Sequence, residues 1–136
     1  MNGKAFFDTN IYIYLYSDDE HEKQKTSKKI INTANECIIS TQILNEINNV
    51  LIKKWKTHIE KIKMVQQEVR QINELVYISE KTIDMAIDFN EKYGFSYYDC
   101  LMLASAFENG CDVIYTEDMH DGQTIENTLK IVNPFK

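Results

Sequence analysis

The feature that most constrains the fold is the abrupt end of a short apolar run near the start of the sequence. Ala5-Phe6-Phe7 has the composition of a buried strand, and Asp8-Thr9-Asn10 follows it with a carboxylate, a hydroxyl and an amide. In open α/β sheets, ligands bind outside the carboxyl ends of the strands. The pattern therefore puts an acid where chemistry usually occurs, while the alternative is that Asp8 or Thr9 only caps a following helix.

Short apolar runs and helical patterns alternate along the rest of the chain. Further strands are predicted at 37–40, 75–78, 113–116 and 129–132. Helices are predicted at 21–35, 41–54, 56–74, 79–94 and 96–107. On the third and fourth of these helices, the residues expected to contact the core are Ile59, Ile62, Met64, Val65, Val69, Ile72, Ile83, Ala86, Ile87 and Phe89. The alternating segment 11–16 fits a strand and a helix equally well. This order predicts an α/β fold with a parallel sheet covered on both faces.

Length and composition predict one domain that spans residues 1–136. The chain has 136 residues and 43% hydrophobic content, and no Pro-, Gly- or Ser-rich linker divides it. No stretch approaches the roughly 20 apolar residues of a membrane span. Three cysteines are an odd number, which favours a reducing compartment over a disulfide framework. We therefore expect a soluble, cytoplasmic protein.

An acid interrupts the apolar face of the second predicted helix. Glu46 lies three residues after Ile43 and four before Val50, so it shares their row. A lone carboxylate is costly to desolvate, and Glu46 should be paired, bind a metal or lie at the rim of a pocket. The alternative is a rim glutamate that extends to water.

Asp99 stands at the start of a strongly apolar helix. Ser96 and Asp99 have the spacing of a capping box, which would give Asp99 a purely structural role. Asp99 is also in line with Leu103 and Ala106, on a helix that must be buried around most of its circumference. The sequence therefore leaves both a cap and an inward-facing acid open.

The strand at 113–116 repeats the pattern of the first strand. It ends in Thr116-Glu117-Asp118, and His120-Asp121 follow. His120 is expected to be a surface residue, and Trp55 and His58 are expected to be packing residues. The lysines at positions 23, 25, 28 and 29 are expected to form a solvated helix face. Strand-end acids thus occur twice, with two helical acids between them.

The net charge and the type of ligand favour a hard metal ion. The formal charge is -6, which argues against a broad basic surface for nucleic acid. Without Asp8, Glu46, Asp99 and Asp118, 17 of the 21 acids remain against 15 basic residues, a balance of -2. Carboxylates that lie close together cannot all ionise unless a cation is among them. Oxygen ligands without a His or Cys set suit Mg²⁺ or Mn²⁺, which promote phosphodiester cleavage.

Four short segments carry a resemblance to a known family. They are Phe7-Asp8-Thr9-Asn10, Ser40-Thr41-Gln42-Ile43-Leu44-Asn45-Glu46, Tyr93-Gly94-Phe95-Ser96-Tyr97-Tyr98-Asp99 and Tyr115-Thr116-Glu117-Asp118. In this order and spacing the chain resembles a PIN-domain ribonuclease, specifically a VapC-like toxin of a type II toxin–antitoxin module. The resemblance implies a three-layer α/β/α sandwich, a homodimer, an antitoxin partner and metal-dependent cleavage of RNA. It also implies that Asp8, Glu46, Asp99 and Asp118 are catalytic metal ligands, supported by Asn10 and Thr116.

One departure from the family pattern leaves the fourth acid open. Many members read Thr-x-Asp-x-Asp-Phe after the last acidic strand, whereas here Asp118 is followed by Met119-His120-Asp121. Glu117, Asp118 and Asp121 are all candidates for the fourth ligand.

Three other functions are compatible with an acid at the end of a strand. A haloacid-dehalogenase-type phosphatase would need a second acid where Asn10 stands. A P-loop enzyme would need a glycine-rich cradle, and the four glycines form none. The remaining alternative is a PIN-like module that binds RNA or protein without cleaving.

Overall fold

The computed structural model describes residues 3–136, in which six strands form one sheet. The strands are β1 (Lys4–Phe7), β2 (Glu36–Ser40), β3 (Glu74–Val76), β4 (Val113–Tyr115), β5 (Thr124–Ile125) and β6 (Leu129–Val132). Their order in the sheet is β3-β2-β1-β4-β6-β5. All neighbouring pairs are parallel except β5 and β6. The predicted parallel sheet is confirmed, and the short antiparallel edge strand β5 is an element that the sequence pattern did not reveal.

Helices flank this sheet. They are α1 (Thr9–Leu15), α2 (His21–Thr33), α3 (Thr41–Asn49), α4 (Ile59–Gln71), α5 (Glu80–Tyr93) and α6 (Tyr97–Glu108). A π-helix, Val50–Lys54, continues α3. The ambiguous segment 11–16 is helical because Asp8 caps α1: its carboxylate accepts a hydrogen bond from the Thr9 N–H.

The centre of the core is β1. Phe6 lies between Ile38 of β2 and Ile114 of β4, and all three side chains are at most 1% exposed. A strand buried on both faces needs consecutive apolar residues, which Ala5-Phe6-Phe7 supplies. The polar residues that follow this strand are therefore delivered to the edge of the sheet at its centre.

The connection between α3 and α4 differs from the prediction. The α-helix ends at Asn49, and the π-helix closes with a bond from the Trp55 N–H to the Val50 carbonyl. Lys56 then adopts a left-handed conformation with φ of 49°. Because that conformation ends the helix, α4 begins only at Ile59.

Several apolar residues predicted to pack in the core are exposed. On α5 the buried residues are Thr82, Ala86 and Phe89, at helical spacing, whereas Ile83 and Ile87 are one position further round and are 40% and 56% exposed. Met64 of α4 is exposed by the same offset, whereas Ile59 and Ile72 are exposed at the two ends of that helix. The core predictions for these five residues are therefore wrong.

Among residues 3–136, none of the helices has both the length and the apolar character that crossing a bilayer requires.

Candidate active site

A cavity of about 460 Å³ lies at the carboxyl ends of β1 and β2 and at the end of β4. Its wall includes one acid from each of four separate segments: Asp8, Glu46, Asp99 and Asp118. The remaining wall residues are Thr9, Asn10, Asn45, Asn49 and Val50. The structure therefore brings to one place the four acids that the sequence singled out.

Asp8 is the most buried of the four acids, with 8% of its surface exposed. Its Oδ1 accepts a hydrogen bond from the Thr9 N–H at 2.6 Å, and its Oδ2 accepts one from the Thr116 hydroxyl at 2.7 Å. Burial raises the pKa of Asp8 to about 6; the two hydrogen bonds oppose the rise, and the charges of Asp118 and Glu46 add to it. Asp8 is thus half ionised at about pH 6. A cation in the cavity would favour its charged form.

Glu46 is held at both carboxylate oxygens. The Thr9 hydroxyl donates to Oε1 at 2.5 Å, and the Gln42 amide donates to Oε2 at 3.3 Å. The same amide nitrogen donates to the Tyr98 carbonyl at 3.1 Å, which links α3 to the first turn of α6. These bonds explain how an acid is accommodated in an apolar row: its head group is oriented towards the cavity by neighbouring donors.

Asp99 occupies the first turn of α6, where the Ser96 hydroxyl accepts a hydrogen bond from its N–H at 3.3 Å. Within residues 3–136 the Asp99 carboxylate makes no reciprocal bond to the Ser96 N–H, so the predicted capping box is only half formed. Burial raises the pKa of Asp99, and the charge of Glu46 raises it further. Asp99 and Glu46 line the same cavity, and the charge of Glu46 disfavours ionisation of Asp99.

Asp118 follows β4 and is exposed to solvent. Its N–H donates to the Thr116 hydroxyl oxygen at 3.2 Å, while the Thr116 hydroxyl itself donates to Asp8. Burial raises the pKa of Asp118, as do the charges of Glu117 and Asp99. Thr116 thus couples the acids at the ends of β1 and β4.

The other two candidates for the fourth acid lie outside the cavity wall. Glu117 pairs with Lys23 at 3.0 Å and accepts a hydrogen bond from the Tyr14 hydroxyl. Asp121 accepts a hydrogen bond from the Asn133 N–H at 2.7 Å. Of the three candidates, Asp118 is the one that lines the cavity. Lys23, which was expected to be part of a solvated face, instead has a defined partner.

The oxygen donors of the cavity are of the type that a hard cation prefers, but their present spacing is not that of a formed metal site. No three His, Cys, Asp or Glu side chains within residues 3–136 are close enough to bind one ion as they stand. The available donors are nevertheless carboxylate and amide oxygens, which suit Mg²⁺ or Mn²⁺, and each carboxylate keeps lone pairs beyond those used above. Burial, and to a smaller extent repulsion between the acids, raises the pKa values of Asp8, Asp99 and Asp118, and an ion in this cavity would offset both effects.

Sequence reasoning missed several polar residues around Glu46. Gln42, Asn45, Glu46 and Asn49 have the spacing i, i+3, i+4 and i+7, which is one face of a helix. Asn45 and Asn49 line the cavity, and Gln42 bonds Glu46. A polar stripe of this kind beside an apolar one was the available signal.

The model of the PIN domain family matches residues 5–120. That range includes five of the six acids considered above and leaves out Asp121. The chain therefore belongs to the PIN-domain family. No curated protein matches its sequence.

Solved structures share the fold at low sequence identity. A chain of a toxin–antitoxin complex from Klebsiella pneumoniae has a TM-score of 0.72 and 21% identity, covering 96% of this chain and 97% of that one. Mycobacterium tuberculosis VapC20, a toxin that cleaves the sarcin–ricin loop, has a TM-score of 0.68 and 15% identity over 84% and 91%. VapBC2 from Rickettsia felis, bound to a fragment of promoter DNA, has a TM-score of 0.66 and 16% identity over 96% and 99%.

Proposed function

We propose that this protein is a metal-dependent endoribonuclease and the toxin of a toxin–antitoxin pair. The observation that supports the proposal best is the convergence of Asp8, Glu46, Asp99 and Asp118 on one cavity at the carboxyl edge of a parallel sheet. Membership of the PIN family and the fold shared with toxins support the same function. We take residues 1–136 to be a single catalytic domain.

In this proposal the four carboxylates would hold Mg²⁺ or Mn²⁺, and the bound ion would supply a Lewis acid for the phosphate and for a water molecule. The chain's own residues orient the acids. The Thr9 hydroxyl donates a hydrogen bond to Glu46 and the Thr116 hydroxyl donates one to Asp8, so these carboxylates keep a fixed orientation. The amides of Asn10, Asn45 and Asn49 are available to bind the phosphate or the ribose hydroxyls.

The partners follow from the same reasoning. The substrate is RNA, and the protein acts in the cytoplasm as a homodimer until an antitoxin blocks it. The structures that share this fold include a toxin–antitoxin complex and VapBC2, which supports an antitoxin partner. If so, the product of a neighbouring open reading frame should co-purify with the chain and suppress its activity, whereas a chain that is never inhibited by such a product argues against the toxin role.

Cleavage of single-stranded RNA in Mg²⁺, in Mn²⁺ and in excess chelator tests the activity. We expect cleavage with either ion and none in chelator. Asp8→Asn and Glu46→Gln should each abolish cleavage with little change in volume, and circular dichroism should show that both variants stay folded. Robust cleavage in chelator would contradict the metal requirement. Near wild-type rates in either variant would remove that residue from the ligand set.

A non-catalytic module that binds RNA or protein is the second candidate. The observation that favours it is the absence, within residues 3–136, of three acids close enough to bind an ion as they stand. Calorimetric titration with Mn²⁺ separates the two candidates. Stoichiometric binding that Asp99→Asn weakens supports the enzyme, whereas RNA binding without ion binding supports the module.

A further inference from the structure

A second cavity, of about 600 Å³, lies at the other end of the elements that line the acid cavity. Its wall includes Tyr16, Asp18, Asp19, Trp55, Lys56 and Lys61. Helix α1 begins at the acid cavity with Thr9 and Asn10, and Tyr16, which follows its last residue, lines the second cavity. Seven helical residues span about 10 Å, so the two cavities are close neighbours.

A second path also joins the two cavities. Helix α3 contributes Glu46 and Asn49 to the acid cavity, and the π-helix that continues it leads to Trp55 and Lys56 at the second cavity. The π-helix ends with Lys53 and Lys54, both exposed. A bound polymer that occupied both cavities would therefore pass beside a segment that carries positive charge.

The segment 53–63 carries a charge opposite to that of the whole protein, and Asp18 and Asp19 face it on the cavity wall. Between Lys53 and Lys63, five of the chain's 15 basic residues face one acid, Glu60, a balance of +4 in a chain of formal charge -6. The other lysine-rich stretch, 18–29, has four acids for its four lysines. Within residues 3–136 the two ion pairs involve Lys23 and Lys92, so the five lysines of 53–63 are left without an acidic partner.

We propose that the cavity beside Trp55 is a subsite for a nucleotide of the RNA strand whose phosphodiester enters the acid cavity. The inference rests on the proposed function. Trp55 is half-buried: it packs against the core and also lines the cavity, which makes it a rigid surface for stacking a base. Lys53, Lys54 and Lys56 bind the phosphates between the two cavities.

The acids of the second cavity fit a base better than they fit a phosphate. Asp18 and Asp19 are exposed carboxylates on the cavity wall, and carboxylates accept hydrogen bonds from the amino groups of bases. They also repel a free anion, so a phosphate alone would not bind well here. The combination of an aromatic side chain, acceptors and flanking lysines selects a nucleotide within a strand.

Trp55 is the only tryptophan in the chain, so its fluorescence reports directly on this cavity. We would titrate the metal-free protein in chelator with a short single-stranded RNA of mixed sequence, at several salt concentrations. We expect the RNA to quench Trp55 and its affinity to fall steeply with salt. Replacing Lys53, Lys54 and Lys56 together with Gln should weaken binding several-fold and lower the salt slope by about one per lost phosphate contact.

The matched control replaces three other exposed lysines, Lys28, Lys29 and Lys130, with Gln, so both variants lose the same charge. Lys28 and Lys29 are in the second half of α2 and Lys130 is in the first half of β6, so all three lie away from the carboxyl edge of the sheet. Affinity in this variant should stay within twofold of wild type, or about 0.4 kcal/mol. An equal loss of RNA affinity in both variants would mean that net charge alone governs binding, which would overturn the proposal.

Two further outcomes separate this inference from the proposed function. If the protein cleaves RNA with metal but Trp55 does not respond and the triple variant keeps the wild-type KM, the subsite is wrong and the enzyme stands. If RNA quenches Trp55 with the expected lysine dependence but no ion supports cleavage, the nucleotide site stands and the enzyme is wrong. Quenching by an acidic peptide and not by RNA would assign the cavity to a protein partner and overturn the proposal.

Discussion

The Thr116 hydroxyl donates a hydrogen bond of 2.7 Å to Asp8 Oδ2 across 108 residues of sequence. This bond joins the ends of β1 and β4 beneath the acid cavity, and both residues are at least nine-tenths buried. It also lowers the pKa of Asp8 against the larger effect of burial. Thr116 is thus a positioning residue in the proposed enzyme: it favours the charged form of an acid that burial would otherwise neutralise.

Thr116→Val should therefore raise the pKa of Asp8 above its present value of about 6. The variant leaves a buried acceptor without its donor, which costs roughly 1 to 3 kcal/mol of stability. We expect the pH at which RNA cleavage reaches half its maximum to move upwards. Thr116→Ser retains the hydroxyl and is the control. An unchanged pH profile in Thr116→Val would contradict the role assigned to Thr116.

The stability of the metal-free protein should depend on pH through Asp8. Its pKa is about 6 in the folded protein against an ordinary value of 3.8, so the unfolded chain ionises first. Stability from this group is complete below about pH 4 and is lost as pH rises through about 6. Melting curves in chelator should therefore show Asp8→Asn gaining on wild type above pH 6 and losing that advantage near pH 4. A constant difference between the two proteins at all pH values would contradict the raised pKa.

Replacing Asp99 with Asn tests whether this residue is a metal ligand or a helix cap. A cap residue would lose a favourable charge at the helix start, at a cost of about 0.3 to 1 kcal/mol. An acid crowded by Glu46 would instead relieve repulsion when neutralised, since burial and that charge both raise its pKa. We expect Asp99→Asn to melt higher in chelator, to gain less from Mg²⁺ or Mn²⁺ and to lose nuclease activity. A lower melting temperature with an unchanged gain from metal would make Asp99 a cap.

The fourth acid can be identified by comparing two neighbouring residues. Asp118→Asn should eliminate cleavage, because Asp118 lines the acid cavity. Glu117→Gln should keep cleavage near the wild-type rate and lose at most about 1 kcal/mol of stability, because Glu117 is engaged with Lys23 at the surface. Initial rates and thermal melts of both variants decide the assignment. The reverse pattern of activities would exchange the two roles.

Much of this arrangement was predictable because strong local signals agree with the tertiary structure. Ala5-Phe6-Phe7 is apolar at consecutive positions, so only a central strand accommodates it, and the acid that follows must lie at the edge of the sheet. The spacing of Ile43, Glu46 and Val50 likewise fixes the side of α3 on which the acid lies. Asp8 and Glu46 could therefore be named from local patterns, whereas those patterns left open the role of Asp99 and the choice of the fourth acid.

Other features depend on tertiary contacts that no short window contains. Glu117 is engaged outside the cavity wall by Lys23, which is 94 residues away in the sequence. The left-handed Lys56 is equally invisible, since lysine has no preference for that conformation. The exposed Ile83 and Ile87 show that apolar character alone does not decide which face of a helix is buried.

A substitution at Lys56 should change stability and RNA affinity in opposite directions. Its φ of 49° strains a lysine and suits a glycine, and a hydrogen bond from the Thr57 N–H to the Leu51 carbonyl holds the turn. Lys56→Gly should raise the free energy of unfolding by about 0.5 to 1 kcal/mol, since relief of strain exceeds the entropy cost of glycine. If the lysine binds the phosphates of a strand, the same variant should bind RNA more weakly and with a shallower salt dependence.

Lys56→Gln is the matched control, because it removes the charge and keeps the strain. It should lose RNA affinity to the same extent as Lys56→Gly and gain no stability. Denaturant unfolding and Trp55 fluorescence titrations on the two variants measure both effects. Retention of wild-type RNA affinity by Lys56→Gly would mean that neither the charge nor the strained turn serves the nucleotide subsite.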